Sequence, residues 1–194
     1  MRRAALLMVC GLAGLGAGCS SSPSHFYTLS ATAAPGASPS KLSVAVGLVS
    51  VPSAVDRPQI VVNTGANEVS IDDFNRWAAP LQDNITRVVA ENLVVLLGTP
   101  RVTLFPPALN SDIDYRVQIE IRTFESTLGK SVSLDAVWTV RRTRDGRIET
   151  GRTSVREPIS DGSFDALAAA HSRGVAKLSQ DIADAVRGLE RGAS

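Results

Sequence analysis

The sequence predicts an α+β fold in which a mostly antiparallel sheet of about five or more strands packs against two amphipathic helices. Apolar and polar residues alternate in two stretches, residues 115–122 and 132–140, as they do in a strand with one wet face. In two other stretches, residues 80–98 and 164–189, apolar residues recur three and four positions apart, which is the period of a helix. The element order βββαββββα favours a sandwich of two helices on one sheet.

The first nineteen residues have the pattern of an export signal rather than of a folded element. Arg2 and Arg3 give a positive start, residues 4–15 are apolar, and the small residues 16–18 lead to Cys19. This pattern is typical of a bacterial lipobox, in which lipid is attached to the cysteine thiol and the signal is cleaved before it. Ordinary secretion, with Cys19 as a stray thiol, is the alternative. The apolar stretch is shorter than the roughly 20 residues of a membrane-spanning helix.

Three regions follow from this pattern: a signal peptide over residues 1–18, a lipidated N-terminus with a flexible tether over residues 19–40, and a single domain over residues 41–194. The tether is predicted from a polar spacer and the low-complexity run SATAAPGASPS at residues 30–40. If about 21 residues were free, their root-mean-square reach would be roughly 25 Å. Cys19 would be the only cysteine after cleavage, so the domain would contain no disulfide.

Three strands are predicted before the first helix. Residues 42–51 are rich in valine and end at Val51-Pro52. A turn at residues 56–58 precedes a second strand at residues 59–63, and a short hairpin partner at residues 68–71 follows a Gly-Ala-Asn turn.

Pro80 and Gly98 bound the first helix, because proline suits the first helical turn and glycine the residue after the last. Four strands are predicted next, at residues 101–105, 115–122, 132–140 and 147–156. Asp145-Gly146 is a hairpin turn signal between the last two of these strands. The second amphipathic helix ends the domain.

Catalytic machinery is hard to assemble from this sequence, which predicts a protein that is not an enzyme. The two histidines are His25, in the tether, and His171, on the apolar face of the last helix, where a packing role is expected. No Gly-x-Ser-x-Gly nucleophile elbow occurs. The alternative, a periplasmic hydrolase, would need several polar residues to converge in a pocket.

No cofactor or metal is predicted beyond the covalent lipid on Cys19. The paired acids Asp72-Asp73 and Asp112/Asp114 could hold a hard cation such as calcium, but they lack the twelve-residue loop spacing, so turn and capping roles are expected. Cleavage of the leader removes two of the 20 basic residues and leaves 18 against 19 acidic ones, a formal charge of −1. Because nucleic-acid binding calls for a clustered basic face, no nucleic-acid partner is expected.

Two short segments are candidates for contact with a protein partner. Asp56-Arg57-Pro58-Gln59 is either a structural turn, with Arg57 paired to a carboxylate, or a surface loop that contacts the partner. Arg76-Trp77 precedes the first helix, and Trp77 either packs that helix onto the sheet or serves as an exposed anchor, since Trp and Arg are enriched in binding hot spots. Trp138 is predicted to lie in the core.

Four strings of the sequence resemble the PqiC-like family, the auxiliary lipoproteins of ABC-type intermembrane lipid transport systems. The strings are Phe26-Tyr27-Thr28-Leu29, Val51-Pro52 with DRPQIV at residues 56–61, NRWAAPL at residues 75–81, and ENLVVLL at residues 91–97. The chain departs from the family pattern at Asn63, where a basic residue is frequent, and at Ala79, where an acidic one is common.

The resemblance implies a lipoprotein on the periplasmic face of the outer membrane. It implies, as partners, a mammalian-cell-entry (MCE) domain protein that conducts lipid across the periplasm and the ABC permease system of that protein. It also hints at a homo-oligomer. Another outer-membrane assembly lipoprotein, such as a lipopolysaccharide-assembly subunit, is the alternative function, since such proteins share a lipid anchor and a two-helix-on-sheet body.

Overall fold

The computed structural model describes residues 23–35, 38–104 and 112–192, and this part of the chain forms eight strands and two helices. The strands are β1 (His25–Tyr27), β2 (Val44–Val46), β3 (Gln59–Asn63), β4 (Val69–Trp77), β5 (Val102–Leu104), β6 (Tyr115–Thr127), β7 (Ser131–Arg142) and β8 (Ile148–Pro158). The helices are α1 (Leu81–Leu97) and α2 (Phe164–Arg191). The predicted α+β class is confirmed. The predicted signal peptide and Cys19 lie outside the described residues.

The larger sheet has the strand order β5-β2-β6-β7-β8. Strands β6, β7 and β8 form the predicted antiparallel hairpins. Strand β2, in contrast, is parallel to both β5 and β6. The chain leaves β2, forms β3, β4 and α1, and returns beside β2 as β5; such a long crossover permits a parallel pair, which a short hairpin does not.

A second sheet, with the order β1-β4-β3, replaces the single sheet that the sequence predicted. Its strand β4 begins near the predicted hairpin partner but extends to Trp77, because the pairing with β3 shifts register between Gln59 and Val61 and accommodates extra residues. Asp72 organises this irregularity: its Oδ1 accepts hydrogen bonds from the backbone N–H groups of Phe74, at 2.9 Å, and Asn75, at 2.7 Å. The turn role expected for Asp72 is therefore confirmed.

The segment before residue 41 is not a free tether throughout, contrary to the sequence-based prediction. Strand β1 pairs in parallel with β4, and Leu29 is fully buried. Asn92 Oδ1, on α1, accepts hydrogen bonds from the backbone N–H groups of Thr32 and Ala33 at 3.1 and 3.0 Å. A buried amide on a distant helix thus fixes a stretch whose local composition is that of a linker.

The helices begin and end where the sequence signals place them. Pro80 stands at the N-cap of α1, and Gly98 ends it at φ 61°, a left-handed conformation that glycine adopts without steric cost. Ser163 caps α2, since its side chain accepts a hydrogen bond from the Ala166 N–H. Helix α2 packs on β7 and β8, and α1 packs beside it against β2 and β5. One apolar core lies between this helical layer and the sheets.

Candidate partner-binding surface

The two segments predicted as partner contacts lie side by side in the structure. Strand β3 begins at Gln59 and β4 ends at Trp77, and the register places Gln59 opposite Arg76. The Trp77 N–H donates a 2.7 Å hydrogen bond to the Pro58 carbonyl. Segments about 20 positions apart in the sequence therefore form one continuous surface at this end of the smaller sheet.

A hydrogen-bonded turn shapes the first segment. The N–H groups of Val55 and Asp56 donate to the Pro52 carbonyl at 3.0 and 3.1 Å, and the Arg57 N–H donates to the Val55 carbonyl at 2.9 Å. Asp56, Arg57 and Pro58 are exposed. Within the described ranges, no carboxylate forms an ion pair with Arg57, so the structure supports the turn but not the ion pair of the structural interpretation.

Trp77 is a packing residue rather than an exposed anchor. Its side chain is only 5 % exposed. Its ring lies edge-on to Phe124 and to His171, with centroid distances of 6.3 Å in both cases. Arg76 is half-buried, and its Nε donates to the Asp73 carbonyl at 2.9 Å. The tryptophan holds the end of β4 on the core, so the surface there is rigid.

A concave site of about 360 Å³ lies between the two segments. We call it the docking hollow; its lining residues are Asp56, Arg57, Pro58, Trp77, Ala78, Ala79, Pro80 and Leu81. Most of these side chains are apolar, and one acid and one base from the turn add charge. Such a site suits an apolar side chain of a partner, with the charged groups available for orientation. Residues 78–81 were not predicted as site residues, although their small, rigid side chains directly follow Trp77.

His171 occupies the core and faces no solvent. Its side chain is 0 % exposed, its ring stacks on Phe124 at 3.8 Å, and its Nε2 lies 2.8 Å from the Ser126 Oγ. Burial lowers the pKa of His171 to about 3, so the imidazole is neutral at neutral pH. The predicted packing role is confirmed. Trp138 also lies in the core, as predicted.

Asp114, another of the predicted acids, joins two distant segments of the chain as a hydrogen-bond acceptor. Asp114 Oδ2 accepts from the backbone N–H of Ser43 at 2.7 Å and from its hydroxyl at 3.0 Å, which ties the start of β2 to the start of β6. Among the described residues, no three His, Cys, Asp or Glu side chains come together as metal ligands do. In the described ranges, no helix is both long enough and apolar enough to cross a membrane.

Comparison with protein families identifies the chain. The model of the ABC-type transport auxiliary lipoprotein component family matches residues 27–183. The chain belongs to this family. The match confirms the resemblance seen in the sequence strings, and it begins inside β1, which agrees with the folded state of the N-terminal segment. A comparison with curated proteins found none that matches.

Two solved structures share the fold. A Xanthomonas campestris protein of the DUF330 family is similar over 88 % of this chain and 100 % of its own, with 19 % identity and a TM-score of 0.71. A crystal structure described as an uncharacterized protein is similar over 85 % of this chain and 99 % of its own, also with 19 % identity, and a TM-score of 0.70. At these identities the likeness concerns the fold alone.

Proposed function

We propose that this member of the family is a non-enzymatic lipoprotein, anchored through Cys19 on the periplasmic face of the outer membrane, that docks the lipid-conducting MCE-domain partner of an ABC-type intermembrane lipid transport system. The observation that carries the proposal is the docking hollow, a rigid, mainly apolar site on a domain of a transport-auxiliary lipoprotein family. A transport complex needs such a surface for attachment rather than for chemistry.

The mechanism in this proposal is positional. Acyl chains on Cys19 hold the domain at the membrane, and the hollow takes up an apolar side chain of the partner. Tethering both proteins to one envelope raises their effective concentration, so a small contact of moderate affinity suffices. Arg57 and Asp56 lie exposed at the hollow, where charge sets the orientation and the rate of encounter more than the affinity.

Site-specific photocrosslinking in intact cell envelopes tests the docking surface. A photoreactive residue at position 57 or position 79 would lie in the docking hollow, and both positions are exposed. Position 144, in the exposed turn between β7 and β8, is the matched control. We expect crosslinks from positions 57 and 79 to an MCE-domain protein and none from position 144. Crosslinks to a large β-barrel protein instead would favour a lipopolysaccharide-assembly function.

Charge variants give a quantitative test of the same surface. Ala79→Glu places a carboxylate in the hollow, and Arg57→Glu reverses the charge at its edge. Each should lower the recovery of the MCE partner roughly tenfold, because disruption of an interface contact commonly costs on the order of 1–2 kcal/mol. Arg144→Glu makes the same charge change as Arg57→Glu away from the hollow and should leave recovery unchanged. Equal recovery with all three variants would contradict the proposed docking site.

The anchor is tested separately by the mass of the mature chain. We expect a polypeptide that begins at Cys19 and carries acyl groups on that residue. Replacement of residues 1–19 by a cleavable secretory signal without a lipobox should release the domain from the membrane fraction without unfolding it, because Cys19 precedes the first strand by six positions. A mature chain that begins elsewhere, or that carries no acyl group, would contradict the anchor.

A further inference from the structure

The outer face of the smaller sheet exposes a cluster of large apolar side chains. We call it the outer patch; its members are Phe26, Val69, Ile71 and Phe74, and their exposed fractions lie between 44 and 64 %. The register accounts for the cluster: Phe26 on β1 is level with Arg76 on β4, and Ile71 is level with Val61 on β3. The alternate residues of β3, Ile60 and Val62, point to the core instead.

Exposed apolar side chains that cluster on one face mark a contact surface, whereas scattered ones do not. In the described part of the chain, four of the seven large exposed apolar side chains lie on these three short strands. The three strands contain no lysine and one arginine, Arg76, beside one histidine, His25, and two acids, Asp72 and Asp73. The outer patch is therefore suited to apolar contact rather than to electrostatic attraction by an anionic surface.

The position of the anchor indicates what covers this face. Phe26 follows Cys19 by seven positions. Because each residue spans at most about 3.6 Å, Phe26 cannot lie more than about 25 Å along the chain from the acylated residue, whatever the conformation between them. The strand that contains Phe26 is hydrogen-bonded to β4, and β4 contains the other three members of the outer patch. With the anchor of the proposed function at Cys19, Phe26 and the strand paired with it lie within reach of the membrane surface.

We propose that the outer patch rests on the lipid bilayer in which Cys19 is anchored, with Phe26, Ile71 and Phe74 in the interfacial region. This inference rests on the lipid anchor of the proposed function. Membrane-surface elements bury apolar side chains roughly 5–10 Å into the boundary between headgroups and acyl chains. Three side chains at that depth, added to the acyl chains, would fix the orientation of the domain as well as its distance from the membrane.

Fluorophores on single introduced cysteines test the contact in the full-length lipoprotein. Cys19 is acylated in this proposal, so Ile71→Cys, Phe74→Cys and the control Ile148→Cys each add the one free thiol of the mature chain. Ile148 is 59 % exposed on β8, in the other sheet, and so matches the patch residues in exposure and size. The proteins are reconstituted in zwitterionic vesicles of phosphatidylcholine and phosphatidylethanolamine, with lipid brominated near the headgroup as the quencher.

We expect bromolipid to quench the labels at positions 71 and 74 about twofold or more above the label at position 148, given the shallow depth of an interfacial contact. Equal quenching at all three positions would overturn the inference. The inference would also be overturned if the labels at positions 71 and 74 were shielded from aqueous iodide but not quenched by bromolipid. A second copy of the chain would then cover the patch. A protein that floats with vesicles but lacks quenching refutes only this contact; one that does not float refutes the anchor as well.

Discussion

Acidification should destabilise this domain through His171. The imidazole is fully buried, and burial lowers its pKa to about 3, whereas the unfolded chain restores the ordinary value of 6.5. Below pH 6.5 the unfolded state therefore binds a proton that the folded state does not bind, and stability falls as the pH falls toward 3. Well above pH 6.5 both states are neutral, so this residue causes no loss of stability there.

The size of the effect follows from the same shift. Each pH unit between the two pKa values costs about 1.36 kcal/mol, so the contribution at pH 4.5 is a loss of about 3 kcal/mol relative to pH 7. A typical domain has a free energy of unfolding of about 5–15 kcal/mol, so this loss is a large fraction of the total stability. The carboxylates also titrate at low pH, so the contribution of His171 must be isolated by a variant.

His171→Gln isolates it, because glutamine can still hydrogen-bond to the Ser126 hydroxyl but cannot titrate. Urea unfolding at pH 7 and pH 4.5, followed by the fluorescence of the buried Trp77 and Trp138, gives the free energy of unfolding at each pH. The wild-type protein should lose about 3 kcal/mol more than the variant between these pH values. Ser126→Ala keeps the buried histidine and should retain the wild-type pH dependence. Equal losses in the wild-type protein and His171→Gln would refute the reasoning.

Two further predictions concern packing and the N-terminal segment. An alanine Cβ at position 151 would lie 2.2 Å from the Trp138 Cζ2, so Gly151→Ala should lower the free energy of unfolding by about 1–3 kcal/mol in the same denaturation assay. Gly162→Ala is the control: a Cβ there meets nothing within 4 Å, so the free energy of unfolding should change little. Asn92→Ala removes the acceptor of two backbone N–H groups and should cost about 1–3 kcal/mol, with faster hydrogen exchange at residues 29–33. Glu120→Ala, on β6, breaks only an exposed ion pair with Arg122 and should leave that exchange unchanged.

The sequence predicted best the features that depend on neighbouring residues. The bounds of α1 follow from Pro80 and Gly98, and the β7 strand follows from its regular alternation. Strand β6 was predicted to end near residue 122 because its pairing with β7 shifts between Ile121 and Thr123, after which the buried positions change from odd to even numbers. A bulge of this kind ends the periodic signal without ending the strand.

Features that depend on distant residues were missed. The run at residues 30–40 has a linker composition, and the acceptor that fixes part of it, Asn92, lies about 60 positions away. The parallel position of β2 depends likewise on where the chain returns after α1. The candidate site was predicted in two halves, at residues 56–59 and 76–77, of which Gln59 and Arg76 do not line the hollow. The register of β3 on β4, which brings the two halves together, has no local signal in the sequence.

The smaller sheet connects the N-terminal strand β1 to the docking hollow through very few hydrogen bonds. Strand β1, six positions after Cys19, pairs with β4 so that Tyr27 is level with Trp77, and the Ala78 N–H donates to the Tyr27 carbonyl at 2.8 Å. Ala78 itself lines the hollow. Strand β1 is therefore hydrogen-bonded directly to the wall of the proposed partner site. In the proposed function, a partner held at the hollow would be connected to β1, the described strand that lies next to Cys19 in the sequence, through the hydrogen bonds of one small sheet.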